Sequence, residues 1–474
     1  MSDAAAPESP SRLQARLTLQ LLQAGVPNID VLRASSVEEL HALADEHGVA
    51  VDGQNPSRGA GSALSLLLGT FPQPGTIHLP HTLGRPPVEV APWQEDRWNA
   101  LAGCDIEPLL ASGAVALLSA HWLVARADSS EPLLLPRQRL PYEAFVTLDQ
   151  LKASTPDANS SSGLNWLPII TVSHLWLTPS HPDPRGSTLK LLARVLRALL
   201  STGTAPALGV FISYSSLLQP PAIVSASALV SVGAHEALEP AQGEAGLIEA
   251  GLSSMGKLFA HRHGWAFKVT RFPEGYPAGF DLPPGANVAL YDQRGWPAVE
   301  SAWAGMAGLF WGNRLALDLG LLDGSEDKFT HMFHRGRQVH KAPPRLPEEM
   351  AKHLEACKFA KADDRQLAGR LYAESFGSEL RQAERIYGSN LFWGDGEARA
   401  ISALLVSGAL PSLVSMDLSK NAIGSEGFAA LAQALSDGHA PKLEELWLED
   451  NLEGHDGMTK LEEACKSRSI GLHR

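Results

Sequence analysis

The 474-residue chain has few cysteines, and their arrangement excludes two classes of site. Cys104, Cys357 and Cys465 are widely separated, and no CxxC pair is present. This spacing argues against a disulfide framework and against a cysteine-based zinc site, and it fits reduced thiols in the cytosol. We therefore expect a cytoplasmic protein without a structural metal.

Basic residues are also scarce and unclustered. The 39 Lys and Arg residues are outnumbered by 52 Asp and Glu residues, which gives a formal net charge of −13. Proteins that bind nucleic acids neutralise phosphates with clustered basic side chains, and the sequence has no Lys/Arg block of that kind. We expect no nucleic acid among the partners.

Long uninterrupted apolar runs are absent as well. The two least charged stretches, residues 108–125 and 198–234, are interrupted by Ser and Gly, with His in the first and Pro in the second. Such residues make a lipid-facing helix hard to build, because its backbone must be satisfied internally. The first residues, MSDAAAPESPS, are polar and acidic, unlike a signal peptide. We expect no membrane span.

Apolar residues make up 44% of the sequence, which is enough for a sizeable core. The length fits two or three domains. We place an N-terminal helical and loop region at 1–112 and an α/β domain at 113–325. A linker and helical connector follow at 326–390, with prolines in 341–348 that hold the chain extended. The last region covers 391–474.

The α/β assignment follows from strand and helix patterns that alternate along the chain. Strands are predicted within 114–125, 166–176 and 207–214, and at the alternating Trp265, Phe267 and Val269. Helices are predicted from Ser187, around Met255 and over Gly295–Trp311. This alternation is typical of a doubly wound, mainly parallel sheet, which binds ligands beyond the carboxyl ends of its strands.

A near-repeat marks the C-terminal region. Leu413, Met416, Leu418 and Asn421 recur 30 residues later as Leu443, Leu446, Leu448 and Asn451, each time followed by an amphipathic helical pattern. This spacing resembles leucine-rich repeats of the ribonuclease-inhibitor type. Residues 391–409 read as an atypical first repeat or cap, and 469–474 as one more strand. Such arrays usually bind proteins, although so short an array is also explained as a rigid end-cap.

A second resemblance lies in the α/β region. The segments VSHLW at 172–176, SHPDPRG at 180–186, VFISYSSLLQ at 210–219 and MGKLFA at 255–260 occur in the order of the heterokaryon-incompatibility (HET) family. Together they resemble that family over roughly residues 165–270. Ser213 stands where the family has an acidic residue at a strand end. HET domains are considered distant relatives of the Toll/interleukin-1 receptor (TIR) fold.

The TIR relationship implies a candidate site. Some TIR-like domains cleave NAD with a Glu on the helix that follows a Trp-containing loop, and GWPAVE at 295–300 is similar to that loop and helix start. The resemblance makes Glu300 the catalytic candidate, with Trp296 beside it. A carboxylate there stabilises the oxocarbenium-like state of nicotinamide–ribose cleavage and orients water. His174, Trp176 and Asp183 are further candidates for the same cleft.

Each candidate has a structural explanation that the sequence leaves open. A Glu near a helix start is favoured by the helix dipole alone. His174 can bond a loop carbonyl, and Asp183 can stabilise the proline-rich turn around it. We predict no metal site, because no carboxylate or cysteine completes a ligand set near His78 and His81 or around 331–340.

The sequence thus predicts a cytosolic signalling or scaffold protein that binds another protein through its repeats and its HET/TIR-like domain. The alternative is an NAD-cleaving hydrolase that uses Glu300, or a pseudoenzyme derived from one. NAD is the one small molecule that the resemblance implies.

Overall fold

A computed structural model describes residues 88–157, 166–178, 180–220, 223–224, 244–280, 282, 286–312, 316–337, 342–361, 363–452 and 455–474. The chain divides into two compact units, Met1–Pro74 with Leu140–Tyr142, and Gly75–Arg139 with Glu143–Arg474. All elements below belong to the second unit. The N-terminal region predicted to be helical, up to residue 87, lies outside the described residues, as do His78, His81 and His340.

A mainly parallel sheet forms the first half of the described chain. Its strands are β1 (Leu118–Ser119), β2 (Ile169–His174), β3 (Gly209–Ile212), β4 (Trp265–Val269) and β5 (Ala316–Asp318). Within the described residues they lie in the order β1-β3-β2-β4-β5; the last four run parallel, and β1 pairs with β3 antiparallel. The predicted α/β class with a mainly parallel sheet is confirmed.

Helices connect and cover these strands. They are α1 (Pro92–Ala100), α2 (Glu107–Ala111), α3 (Ala120–Ala127), α4 (Leu148–Ala153), α5 (Ser187–Leu200), α6 (Ser213–Ser216), α7 (Glu244–Phe259), α8 (Gly295–Trp311), α9 (Phe329–Gly336), α10 (Pro347–Ala356) and α11 (Asp364–Gln382). The helix predicted over 295–311 has the predicted bounds. It ends at Gly312, whose φ of 66° is a left-handed value that glycine adopts without strain.

Both faces of the sheet are covered by helices at β4. Trp265 contacts Phe329 and Phe333 of α9, with ring centroids 5.7 and 6.1 Å apart. Its neighbour Ala266 packs with Ala304 of α8. Because successive strand residues point to opposite faces, α8 and α9 lie on opposite sides of the sheet.

The strand prediction within 114–125 is wrong for most of its length. Only Leu118–Ser119 is a strand, and helix α3 starts at Ala120. The side chain of Ser119 accepts a hydrogen bond from the backbone N–H of Trp122 at 3.4 Å, which caps that helix. A short apolar run does not by itself distinguish a buried strand from a buried helix. Strand β5 was not predicted.

The C-terminal region is built from repeated strand–helix units. Its strands are β6 (Arg385–Tyr387), β7 (Ser415–Asp417), β8 (Glu445–Trp447) and β9 (Gly471–His473), and its helices are α12 (Asp395–Val406), α13 (Ser425–Ser436) and α14 (His455–Ser467). Each strand pairs parallel with the next, so that Ile386, Met416, Leu446 and Leu472 stand side by side. The predicted extra strand after Ser469 is present.

The side chain of Asn421 holds the turn after β7. Its Oδ1 accepts hydrogen bonds from the backbone N–H groups of Leu391 and Trp393 at 3.0 and 3.1 Å. Its Nδ2 donates to the carbonyls of Gly388 and Leu418 at 2.7 and 2.9 Å. The side chain therefore bonds its own turn to the equivalent turn of the preceding unit.

One hydrophobic core joins these units to the α/β region. Phe310 of α8, Leu380 of α11, Ile386 of β6 and Met416 of β7 belong to the same cluster of buried residues. The packing is continuous from the sheet helices through α11 into the repeated units.

Replacing Asn421 by alanine is expected to destabilise the protein by roughly 2–4 kcal/mol, because one buried and one partly buried backbone N–H group lose their acceptor. The measurement is urea unfolding of the full chain. Asn451→Ala serves as the matched control, since that side chain is half-buried and joins fewer groups. A loss at position 421 no larger than at 451 would contradict this account.

Candidate active site

A cavity of about 210 Å³ lies at the carboxyl ends of β2 and β3. His174 is the last residue of β2, and Ser213 directly follows β3. The other walls come from α7, the start of α8 and the segment between α10 and α11. The polar and aromatic residues that line it include His174, Trp176, Ser213, Asn287, Arg294, Trp296, Glu300, Lys358, Lys361 and Asp364.

Glu300 brings a buried carboxyl group to this cavity from the second turn of α8. The residue is 6% exposed, and the hydroxyl of Ser173 donates a hydrogen bond to its Oε2. Burial raises the pKa of Glu300 to about 7, and the Ser173 bond offsets only part of that shift. The carboxyl group is thus divided between its acid and its base form at neutral pH, which suits a group that exchanges protons.

Tyr291 and Ser301 extend the hydrogen bonds around Glu300. The Tyr291 hydroxyl lies 2.6 Å from the Ser173 hydroxyl and 3.1 Å from that of Ser301. Burial, followed by the charge of Glu300, raises the pKa of Tyr291 above its usual range, so the phenol stays protonated. This chain of hydroxyls fixes the position of Ser173 and through it the carboxyl group.

His174 lies in the same cavity as a neutral imidazole. It is 4% exposed, and neither ring nitrogen has a hydrogen-bond partner of standard geometry among the described residues. Burial lowers the pKa of His174 to about 4, although the backbone at Leu175 opposes this change. A buried polar group without a partner is costly, so the two nitrogens are available to a ligand in the cavity.

Both predicted tryptophans line the cavity. Trp176 is half-buried, and its ring meets that of Tyr214 edge-on at 5.6 Å. Trp296 is also half-buried, and its Nε1 donates to Asp364 Oδ2 at 3.1 Å. The structure thus brings together four of the five residues predicted for the site.

Asp183, the fifth, is not among the residues that line the cavity. It is fully buried in the turn before α5, where its Oδ2 accepts from the backbone N–H of Leu189 at 2.9 Å. Burial raises its pKa, and the N–H groups at the start of α5 act in the opposite direction. The contacts fit the turn-stabilising role that the sequence left open, because backbone donors at a helix start satisfy a carboxylate.

Three basic residues of the cavity were not predicted. Arg294 directly precedes the GWPAVE segment, and its nearness to that motif was the only signal for it in the sequence. It is 3% exposed and donates to the carbonyls of Ala289, Trp176 and Asn287. Lys358 and Lys361 reach the cavity from a segment about 60 residues after Glu300, and no local sequence pattern indicates that they belong to the site.

Among the described residues, no group of three or more His, Cys, Asp or Glu side chains is placed to hold a metal ion. His331 instead pairs with Asp327 at 2.9 Å on the surface. In the same part of the chain, no helix combines the length and the apolar character needed to cross a membrane.

Comparisons with known proteins do not assign a family. No protein-family model matches the chain, and a search of curated proteins found no match. The site must therefore be interpreted from its own geometry.

The buried carboxyl group predicts an unusual stability profile. An ordinary Glu titrates near pH 4.5, whereas burial raises the pKa of Glu300 to about 7. Between these values the folded state binds the extra proton, so its stability falls as the pH rises, by roughly 3 kcal/mol in total. Glu300→Gln removes this loss and is expected to raise the melting temperature relative to the wild type at pH 8 more than at pH 5.

Glu355→Gln, on the exposed side of α10, is the control and should show no such difference between the two pH values. An equal change in melting temperature for Glu300→Gln at both pH values would mean that burial does not raise the pKa of this carboxyl group.

Proposed function

We propose that residues 113–325 form a doubly wound domain of the HET/TIR-like kind. The parallel strands support this: β2, the first of them in sequence, is flanked by the second, β3, and the third, β4. In sheets of this order the chain switches sides between those neighbours, and ligands bind beyond the carboxyl ends there. The cavity with His174 lies at that edge.

We propose further that the protein is a hydrolase that cleaves the bond between nicotinamide and ribose in NAD. The observation that carries this proposal is the cavity itself, which is lined by buried Glu300, by unpartnered His174 and by two tryptophans. Buried, poorly satisfied polar groups lower the stability of a fold, and they are retained most often where a ligand uses them.

In this reaction the main task of the protein is to place a negative charge next to the sugar. The bond between C1′ and the ring nitrogen breaks with its electron pair moving to the pyridinium, which leaves as neutral nicotinamide. The sugar then carries an oxocarbenium-like charge, which the ionised Glu300 stabilises. Water adds its oxygen to C1′, and its proton passes to the carboxylate. His174, neutral at pH 7, supplies a hydrogen bond to the substrate, and the tryptophans offer faces for the nicotinamide ring.

The test is release of nicotinamide when the purified full chain is incubated with NAD. Because the ionised form of Glu300 acts, the rate is expected to rise from pH 6 to pH 8 with a midpoint near 7. Glu300→Gln should reduce the rate by at least about a hundredfold. Glu355→Gln should leave it unchanged.

Absence of nicotinamide release from the wild type, at every pH and protein concentration tried, would end the hydrolase proposal. Tight NAD binding without release would identify the pseudoenzyme instead.

A second candidate function is protein binding by the repeated units, which we propose to be leucine-rich repeats of a cytosolic signalling or scaffold protein. The observation in its favour is a row of side chains across the sheet: Tyr387, Asp417, Trp447 and His473 stand in register on β6 to β9. The rings of Trp447 and His473 stack at 4.9 Å. Partly exposed aromatic residues on a rigid face are typical anchors of protein interfaces.

This surface is testable without removing the repeats, whose loss would open the shared core. The measurement is cross-linking of the wild-type chain to its partner proteins, which are then identified. The double variant Tyr387→Ser, Trp447→Ser is expected to capture none of these proteins. Val406→Ser is the matched control, because Val406 is a 52% exposed apolar residue on helix α12. If the double variant and the control capture one and the same set, the strand face is not the binding surface.

A further inference from the structure

The cavity combines its buried carboxyl group with three cations, and this charge pattern points to one part of a substrate. We propose that Arg294, Lys358 and Lys361 bind the 5′-phosphate of a nicotinamide ribonucleotide whose sugar lies at Glu300. The inference rests on the proposed hydrolase function and adds the substrate class: the nicotinamide-bearing half with its own phosphate is recognised, and the rest of a dinucleotide is dispensable.

Arg294 is a buried cation without a counterion. Within the described residues its guanidinium forms no ion pair with a carboxylate; it donates hydrogen bonds to three backbone carbonyls and interacts with the hydroxyl of Tyr276. Those bonds use three of the five N–H donors of a guanidinium. Burying a charge without an opposite charge is costly, and an anion in the cavity would compensate for it.

Lys358 and Lys361 add two exposed cations at the same cavity. Neither forms an ion pair in the part of the chain that the structure describes. The backbone fixes Lys358 in place, since its N–H donates to the Gln293 carbonyl at 2.8 Å and its carbonyl accepts from Gly295 at 3.1 Å. The lysines are therefore held next to the start of α8, which carries Glu300.

The balance of charge in the cavity is opposite to that of the whole protein. Three cations face two carboxyl groups, Glu300 and Asp364, and Asp364 already accepts a hydrogen bond from Trp296. The chain as a whole carries a formal net charge of −13. A locally positive cavity in an acidic protein attracts and orients anionic ligands.

Size limits how much of a dinucleotide the cavity encloses. Its volume of about 210 Å³ is below the roughly 300–1,000 Å³ typical of sites for drug-sized ligands. We place the nicotinamide ring and its ribose in this space and the phosphate at Lys358 and Lys361, whose side chains are exposed. The adenosine half then lies outside.

The experiment separates phosphate recognition from cleavage. Calorimetry with ribose 5-phosphate, ribose and inorganic phosphate as probes measures binding without a bond to cleave. We expect ribose 5-phosphate to bind most tightly, with an affinity that falls as salt is added. Lys358→Gln combined with Lys361→Gln should weaken it roughly tenfold, whereas Lys352→Gln, an exposed lysine of α10 outside the cavity, should not.

Nicotinamide release is then compared for NAD, nicotinamide mononucleotide and nicotinamide riboside. The mononucleotide should match NAD within a fewfold, and the riboside, which lacks the phosphate, should have a KM at least about tenfold higher. Equal KM values for all three, or equal binding of ribose and its phosphate, would overturn the phosphate site even if NAD is cleaved. Selective binding of the phosphate without any nicotinamide release would retain this site and remove the hydrolase.

Discussion

The structure depends on the parallel pairing of β2 with a neighbour on each side. Ile170 stands opposite Val210 of β3 and Trp265 of β4, and all six residues of β2 are buried. Because the strands run in one direction, their carboxyl ends meet at a single edge, and the residues that follow them converge there. His174 reaches the cavity for this reason, and Ser173 beside it donates a hydrogen bond to Glu300, which α8 brings to the same cavity.

Two buried carboxyl groups near this edge, those of Asp183 and Glu300, have different surroundings and therefore different roles. Asp183 is fully buried in the turn before α5, outside the cavity, where its Oδ2 accepts a hydrogen bond from the backbone N–H of Leu189 and its Oδ1 has no partner among the described residues. Glu300 is buried nearly as deeply and receives a single hydroxyl, from Ser173. The first arrangement stabilises a turn. Burial raises the pKa of both carboxyl groups, but only that of Glu300 lies in a cavity open to a small molecule.

The cavity and the repeated units belong to one packed body. Lys358 lies between α10 and α11, and Asp364 is the first residue of α11, whose buried face leads into β6 within one core. Phe359 packs directly on Gly295, where an added Cβ would lie 1.8 Å from its ring. The segment that forms this wall of the cavity packs on α8 and continues along the chain through α11 into the repeated units. The two proposed binding surfaces therefore belong to one packed core.

Local patterns in the sequence determined many of the individual elements. The apolar spacing of α5, the bounds of α8 and the 30-residue recurrence of Asn421 and Asn451 are short-range features, because helix periodicity and turn bonding involve residues close in sequence. The same reasoning failed at residues 114–125, where an apolar run fits a strand or a helix, and it overlooked the three-residue strand β5. The resemblance to known families brought Glu300 and Trp296 forward, and the position at or after a predicted strand end brought forward His174, Trp176 and also Asp183, which lies outside the cavity. Only the tertiary structure decided that Asp183 turns inward to α5 and that Arg294, Lys358 and Lys361 join Glu300. Strand order and helix packing bring these residues together across long stretches of chain, and no local pattern records such contacts.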